Sequence, residues 1–265
     1  MPYTTIIDTN KDHIAHITLN RPESNNVINQ QLARELAEVC RQINQDDAIY
    51  AAIITGAGYS AFCGGSELEQ SIQAGSPDET PSAKPKEVSA RYSVARTVAS
   101  IEQPVIAAIN GDALGQGLEL ALSCDIRLAS HQARFSFPQV ALGLMPTDGG
   151  TQRLPRIVGK GKAMELILAA QTISAEEAFE IGLVNKIVEQ EKLAVEAEAL
   201  ARTLADKAPI ALKYIKEAVN KGLDLTLEQG LRLEADLYFL LHTTTDRTEG
   251  IEAFLRKRPP RFKGQ

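Results

Sequence analysis

The sequence contains few of the residues that build disulfide frameworks and metal centres. Its three cysteines, Cys40, Cys63 and Cys124, are an odd number and form no Cys-x-x-Cys pair, which argues against a disulfide scaffold or a zinc site. The four histidines are scattered, and no two have the i, i+4 spacing of metal ligands on a helix. We therefore predict no metal, and a cytoplasmic location in which thiols stay reduced.

Long apolar runs and an excess of positive charge are also missing. No run approaches the length that crosses a bilayer, and the N-terminal MPYTTIIDTNKD lacks the basic start and apolar stretch of a secretory signal. A formal net charge of −6 argues against general binding to nucleic acid or membrane surfaces, although local cations can bind a small polyanion. With 44% hydrophobic residues, the chain can bury a substantial core, so we predict a soluble protein.

Apolar periodicity predicts alternating strands and helices first, and mostly helices after Thr151. The segments TTIIDT and HIAHITLN, joined by a polar turn at 10–12, predict a β-hairpin. This order favours an α/β fold with a helical C-terminal extension. The predicted helices cover 29–43, 86–101 and 115–123, and the further predicted strands cover 49–55, 104–109, 125–129 and 183–188.

A glycine-rich corner, AFCGGSEL, follows the first buried strand. Gly64 and Gly65 permit a tight backbone path that side chains would block, so the N–H of Ser66 can point into a cleft. Taken alone, a strand followed by glycines is more often only a turn.

A second corner, NGDALGQGLELA, follows the next buried strand and opens a helix. N–H groups in a first helical turn have no partner within the helix, and the dipole there favours negative charge. The Gly-x-Gly of this segment lacks the third glycine of a dinucleotide fingerprint. Glu119 lies one turn into the helix, beside whatever its N-terminus binds.

Together the two corners predict a site that stabilises a developing negative charge on oxygen. Two N–H groups from separate loops, each about 3 Å from one oxygen, stabilise a carbonyl oxygen that becomes negative. Each donor lowers the barrier by roughly 3–4 kcal/mol, so the pair can carry much of a rate enhancement.

Five segments resemble, in order, the successive signatures of the enoyl-CoA hydratase/isomerase (crotonase) family. Each alone is a weak signal, but jointly they are specific and cover nearly the whole chain. They are LNRPESNNVIN, AFCGGSELE, PVIAAINGDALGQGLELALSCDIRLAS, FPQVALGLMPTDGGTQRLPRIVG and AFLRKRPPRFKGQ.

The resemblance implies a crotonase-type spiral of ββα units over 1–200 and a helical C-terminal trimerisation region over 201–265. It implies homotrimers that often pair into homohexamers, with a coenzyme A thioester as substrate and no permanently bound cofactor. The thioester carbonyl would lie between the N–H groups of Ser66 and Gln116. The family usually has glycine where Gln116 stands, and a backbone donor survives that change of side chain.

Family hydratases typically use two glutamates, and this chain retains one. Glu119 matches the first, while Gln139 stands at the position of the second. Glutamine can orient water but cannot donate and recover a proton as a carboxylic acid does. Either Glu119 handles both proton transfers through one water, or another acid contributes. Asp148 is the candidate acid, and its alternative role is a helix N-cap ahead of Gly149.

The resemblance also implies the groups that grip coenzyme A. Lys257 and Phe254 would meet the phosphates and the adenine, across a subunit boundary, although a charged tail is usually a solvated face. Leu68 would line the adenine or pantetheine channel, or else pack in the core. We place Gly64 and Gly65 beside the thioester at the same site.

We predict an enoyl-CoA hydratase-type lyase that adds water reversibly to a 2-enoyl-CoA through a stabilised enolate. The alternatives within enzymes are a specialised reaction on a cyclic or dienoyl-CoA, as in aromatic-acid degradation, double-bond isomerisation, and acyl-CoA hydrolysis. A different class of alternative is a homologue that binds acyl-CoA without turnover.

Overall fold

The computed structural model describes residues 3–67 and 93–265. The strands there are β1 (Ile6–Lys11), β2 (Ile14–Leu19), β3 (Ala51–Gly56), β4 (Ala61–Cys63), β5 (Val105–Ile109), β6 (Asp112–Leu114), β7 (Ile126–Ser130), β8 (Arg134–Ser136), β9 (Ile173–Ser174) and β10 (Lys186–Val188). The helices are α1 (Gln30–Gln45), α2 (Val94–Ala99), α3 (Gln116–Ser123), α4 (Gly150–Val158), α5 (Lys160–Leu168), α6 (Ala175–Glu180), α7 (Leu193–Ala205), α8 (Pro209–Gly222), α9 (Leu227–Leu241) and α10 (Thr245–Leu255). The predicted α/β class is confirmed.

A β-hairpin opens the fold, as predicted. β1 and β2 pair antiparallel through a turn at Asp12 and His13. The φ angles of these two residues, 52° and 67°, suit a two-residue turn whose twist matches that of the strands. The predicted turn at 10–12 is wrong, because Asn10 and Lys11 still belong to β1 and pair with β2.

Three consecutive strand pairs repeat one pattern. In each pair (β3 with β4, β5 with β6, β7 with β8), the first strand joins a sheet of order β1-β2-β3-β5-β7-β10 and the second joins a sheet of order β4-β6-β8-β9. Strands from successive pairs run parallel in both sheets. This repetition is the predicted spiral of ββα units. The strands of the smaller sheet have at most three residues, too few for an apolar period to identify.

The larger sheet is covered on both faces. On one face packs α1, which Asn29 caps by accepting a hydrogen bond from the N–H of Leu32 at 2.8 Å. On the other face packs α7. Alternate residues of β3 and β5 therefore enter two different cores, which explains why both strands are continuously apolar. The apolar residues that predict α1 are all buried: Leu32, Leu36, Val39, Cys40 and Ile43.

The remainder of the chain is mainly helical, as predicted, with the strand expected at 183–188 reduced to β10. Residue 200, at which we divide the core from the C-terminal region, lies inside α7. Leu193, Ala197 and Ala201 of this helix are buried against the sheet. Of the predicted helix at 86–101, α2 is present, and 86–92 lie outside the described residues.

Within the described ranges, no helix is both long enough and apolar enough to cross a membrane.

Candidate active site

The two glycine corners are in direct contact. β4 and β6 pair in parallel, with Ala61 opposite Asp112 and Cys63 opposite Ala113, so the segments that follow them leave the same edge of the smaller sheet. The first turn of α3 then packs on the end of β4. A Cβ atom added to Gly117 would lie 2.0 Å from the carbonyl oxygen of Cys63, so no side chain fits there. The backbone of one corner thus touches the backbone of the other.

The corner at Ser66 fixes the direction of its own peptide group. Ile28 donates its N–H to the carbonyl of Gly65 at 2.8 Å and accepts the N–H of Glu67 at 2.9 Å. Both ladder bonds are therefore made by the neighbours of Ser66, whose own N–H points to the side away from Ile28. Gly65 has a φ of 107°, which a side chain disfavours, so the turn needs glycine at this position.

The corner at Gln116 starts a helix that is buried along its whole length. Gly115 precedes it with φ 52° and ψ −123°, a combination that glycine tolerates, and donates its N–H to the carbonyl of Ser136 at 2.9 Å. The carbonyl of Gly115 accepts the N–H groups of Leu118 and Glu119, which begins the helical ladder. The N–H of Gln116 lies ahead of that ladder, in the first turn where peptide dipoles favour negative charge.

Glu119 lies three residues after Gln116 in the same helix and is 1% exposed. Its Oε1 accepts the N–H of Asp148 and the N–H of Gly150, each at 2.7 Å. Gly150 belongs to the first turn of α4, so the carboxylate faces the positive end of that helix. Charge-assisted bonds of this length fix the carboxylate's orientation and stabilise its ionised form.

Asp148 is buried and contacts two different helices. Its carboxylate accepts hydrogen bonds from the Ser93 hydroxyl at 2.9 Å and the Ala95 N–H at 2.7 Å, at the start of α2. The predicted N-cap ahead of Gly149 is wrong, since α4 has no side-chain cap and Asp148 caps α2 instead. The acid role stays a prediction, although these contacts all use the carboxylate as an acceptor.

The two glutamine side chains of the site are both buried. Gln116 directs its amide Nε2 to Asp148 Oδ2 at 3.3 Å, so its side chain extends toward the loop before α4. Gln139 is 1% exposed and lies in a 3₁₀ helix, Pro138–Leu142, where its carbonyl accepts the N–H of Leu144 at 2.9 Å. An amide therefore occupies the position that the resemblance assigns to a second carboxylate.

Two buried asparagines that sequence reasoning missed hold the first corner in shape. Asn26 donates to the carbonyls of Ala57 and Ala61 at 3.0 and 2.9 Å. Asn110 accepts the N–H of Gly56 at 3.0 Å and donates to the carbonyl of Gly58 at 2.8 Å. The sequence signal for this turn is the pair Asn25-Asn26, since asparagine tolerates positive φ better than most residues, and the two have φ angles of 54° and 55°.

Phe254 and Lys257 lie at the far end of the chain. Phe254 is near the end of α10 and is 82% exposed, and Lys257 follows that helix with a φ of 52°. Their contact with coenzyme A stays a prediction. Leu68, the predicted channel residue, lies outside the described residues.

The three cysteines are buried. Burial raises the pKa of the Cys40 and Cys124 thiols to about 12, so they stay protonated at neutral pH. Cys63 Sγ lies 3.6 Å from the Gly65 carbonyl oxygen, so the buried thiol packs in the corner as a small side chain. In the described part of the chain, no three His, Cys, Asp or Glu side chains are grouped to hold a metal ion.

Comparisons with known proteins point to one family. A family model described as enoyl-CoA hydratase/isomerase matches residues 9–265. The chain is 42% identical over 253 residues to the putative enoyl-CoA hydratase/isomerase YngF of Bacillus subtilis, covering 96% of this chain and 95% of that protein. It is 39% identical over 264 residues to a crotonyl-CoA hydratase of Syntrophomonas wolfei, covering 99% of each.

Solved structures give the same result for the backbone. The crystal structure of an enoyl-CoA hydratase from Bacillus anthracis superposes with a TM-score of 0.90 at 38% identity, covering 99% of this chain and 100% of that one. The predicted crotonase-type fold and the predicted family are therefore confirmed.

Proposed function

The chain belongs to the enoyl-CoA hydratase/isomerase family, and from that premise we propose that it adds water reversibly to a 2-enoyl-CoA thioester. One observation carries the proposal. The two corners, which touch at Gly117 and Cys63, bring the peptide N–H groups of Ser66 and Gln116 beside the Glu119 carboxylate, and that carboxylate is held in a single orientation. Such a site suits a reaction that places negative charge on a carbonyl oxygen and moves a proton nearby.

The N–H groups of Ser66 and Gln116 bind the thioester oxygen. When the water oxygen attacks the β-carbon, electrons of the double bond move through the conjugated system to the thioester oxygen, and an enolate forms. Donors that are already in place stabilise the enolate without reorganisation, so they lower the barrier more than they strengthen substrate binding. Gly64 and Gly65 let the thioester approach the Ser66 peptide closely.

Glu119 removes a proton from water and returns it to the α-carbon. The two loop bonds hold the carboxylate in one orientation for these proton transfers. The water loses one proton to Glu119 and its oxygen bonds to the β-carbon, and the same proton then passes to the α-carbon of the enolate. Gln139 orients the water through its amide. One carboxylate on one face of the double bond produces syn addition.

The C-terminal helices supply the grip on coenzyme A and the contacts between subunits. Phe254 lies against the adenine and Lys257 pairs with the phosphates, in a homotrimer that can double to a homohexamer. The supporting observation is a set of large apolar side chains exposed on α9 and α10, more than an isolated soluble chain usually leaves uncovered. Its members include Leu227, Tyr238, Phe239, Phe254 and Leu255, each more than 60% exposed. The enzyme acts in the cytoplasm without a permanently bound cofactor.

Gln139 favours a second candidate within the same chemistry, a cyclic or dienoyl-CoA substrate. An amide at this position orients water without offering a second proton donor. A ring or diene substrate delocalises the developing charge further, so it depends less on such a donor. A panel of linear, cyclic and dienoyl-CoA thioesters separates the two candidates, with turnover measured as the loss of enoyl-thioester absorbance. The same measurement distinguishes an enzyme from a protein that binds acyl-CoA without turnover.

The Glu119→Gln variant tests the mechanism directly. The amide oxygen of glutamine can still accept the N–H groups of Asp148 and Gly150, so the loop keeps its place. We expect turnover to fall by roughly 100- to 10,000-fold, while acyl-CoA binding stays within about threefold of wild type. Glu102→Gln is the matched control, because Glu102 is an exposed partner of Lys213 outside the site. Unchanged turnover in Glu119→Gln would remove Glu119 from the reaction.

A further inference from the structure

One hydrogen bond joins two walls of the site that are far apart in the sequence. Gln116, whose N–H binds the thioester oxygen in the proposed function, donates its side-chain amide to Asp148 Oδ2 at 3.3 Å. Both side chains are buried, at 6% and 8% exposure, so bulk water does not replace the bond. The side chain of an oxyanion-binding residue is therefore held by the loop that precedes α4.

Asp148 contacts the proton-transfer group as well. Its own N–H donates to Glu119 Oε1 at 2.7 Å, while its carboxylate is held by the N–H of Ala95 and the hydroxyl of Ser93. The start of α2 thus holds the carboxylate, the carboxylate holds Gln116, and the peptide N–H of the same residue holds Glu119. A displacement of Asp148 moves the oxyanion donor and the base together.

The charge of Asp148 is compensated where it lies. A bare carboxylate this close to a developing enolate would oppose the negative charge on it. Four donors point at the two carboxylate oxygens: the N–H groups of Ala95 and Arg96, the Ser93 hydroxyl and the Gln116 amide. Their dipoles offset the charge, so the carboxylate can serve as a rigid anchor in a buried site.

We propose that Asp148 is a positioning residue that fixes Gln116 and Glu119 relative to each other. The proposal rests on the proposed function, in which those two residues bind the thioester oxygen and move the proton. Asp148 touches neither group of the substrate in this role. It acts through its hydrogen bonds. The bond between Asp148 and Gln116 can be tested by substitutions that keep the size of both side chains.

A charge-exchanged pair tests the proposal. Gln116→Glu alone sets two carboxylates against each other, and Asp148→Asn alone removes the negative charge that Gln116 Nε2 and the Ala95 N–H share at Oδ2. In the double variant the donor and the acceptor of the pair change places and the total charge of wild type returns, while the Ala95 N–H, which shares Asp148 Oδ2 in wild type, loses its acceptor. We expect each single change to lower kcat with KM within about twofold of wild type, because the lost interaction acts in the transition state. The double variant should exceed the product of the singles by about tenfold.

Ser100→Ala is the matched control, because it removes a hydroxyl hydrogen bond to the Thr97 carbonyl at the other end of α2 and leaves Asp148, Gln116 and Glu119 untouched. We expect it to lower Tm and keep kcat. All rates are measured at a temperature at which circular dichroism shows every variant fully folded.

The outcomes separate the two proposals. Rates of the double variant equal to the product of the singles would overturn the positioning role and leave the hydratase function standing. The same follows if Asp148→Asn lowers only Tm, as a helix cap would. A wild-type protein that hydrates no 2-enoyl-CoA overturns both proposals together.

Discussion

The corner around α3 and the C-terminal helices use apolar residues in opposite ways. All eight residues of α3 are buried within one chain, together with the glycines that bring Cys63 against its first turn. On α9, Leu237 is the one buried residue, and other apolar residues of the helix, such as Leu227 and Phe239, are 80% and 71% exposed. The first region is complete in a single chain, and the second has apolar surface left to cover.

This difference indicates which properties need assembly. The groups to which we assign the chemistry, the N–H donors, Glu119 and Asp148, obtain their positions from contacts inside one chain, so the proposed trimer is not needed to place them. Exposed apolar area on the C-terminal helices is stabilised by burial against another surface, at roughly 25 cal/mol per Å². We therefore expect variants of the two regions to separate turnover from assembly.

The largest effect is expected from Gly117→Ala. The added Cβ would lie 2.0 Å from the Cys63 carbonyl oxygen, so the two corners must move apart. We expect kcat/KM to fall at least about 100-fold, since a displacement near 1 Å at a reacting centre has effects of that size. Unfolding free energy should fall by about 1–3 kcal/mol, the range for overpacking.

Gly161→Ala is the control for the glycine substitution. Gly161 lies in α5, and an added Cβ meets nothing within 4 Å. Activity should be unchanged, and stability should rise by up to about 1 kcal/mol, because alanine favours helix. Chemical denaturation and steady-state kinetics measure both variants. Equal behaviour of the two alanines would show that the corners do not depend on their close contact.

A middle-sized effect is expected from Phe239→Asp. A charge placed in a buried apolar contact between subunits is expected to weaken assembly by roughly 2 kcal/mol or more, or about 30-fold. Sedimentation velocity should show smaller species at low protein concentration, with a circular dichroism spectrum like that of wild type.

Val195→Asp is the control for the assembly variant, since Val195 is similarly exposed, at 69%, but lies on α7 outside the predicted trimerisation region. Its mass distribution should match wild type. If Phe239→Asp leaves the oligomer intact while Val195→Asp dissociates it, the interface lies elsewhere.

Local sequence signals predicted the elements that local physics determines. The opening hairpin, the spacing of three and four along α1, and the glycine corners at 64–65 and 117 are each determined within a few residues, although the hairpin turn lies at 12–13 and not at the predicted 10–12. Parallel pairing of the apolar strands then follows, because crossover connections return the chain to the same sheet edge. The positions of both corners along the chain could therefore be predicted from the sequence.

Contacts between distant parts of the chain were not accessible in this way. Asp148 was expected to cap its own helix, but it caps α2 through Ala95, 53 residues earlier in the chain. Asn110 holds the Gly56 turn across 54 residues in the same manner. The sequence shows only that a buried polar side chain needs a hydrogen-bond partner. Which N–H group is that partner depends on the tertiary structure.

The smallest effect is expected at the tail that follows α10. Arg258 donates to both oxygens of Glu249, at 2.6 and 2.8 Å, and the Arg261 N–H donates to Glu249 Oε1 at 2.7 Å. The Arg258 guanidinium, and then the Arg261 N–H, lower the pKa of Glu249 from 4.5 to about 2. Because the folded-state pKa is lowered, the stabilisation is present above about pH 4.5 and is lost as the pH falls toward about 2.

Glu249→Gln should therefore mimic acid at neutral pH. We expect faster amide hydrogen exchange at Arg258 and Arg261 in this variant than in wild type at pH 7, with the difference narrowing as the pH falls below about 4.5. Glu252→Gln is the control on the same helix, since its pair with Arg256 spans one exposed helical turn at 3.4 Å. Lys257 lies between α10 and the residues that Glu249 holds, Arg258 and Arg261. Faster exchange accompanied by weaker acyl-CoA binding would therefore show that the tail contributes to ligand binding. A difference that widens toward acid would mean that the carboxylate does not hold the tail.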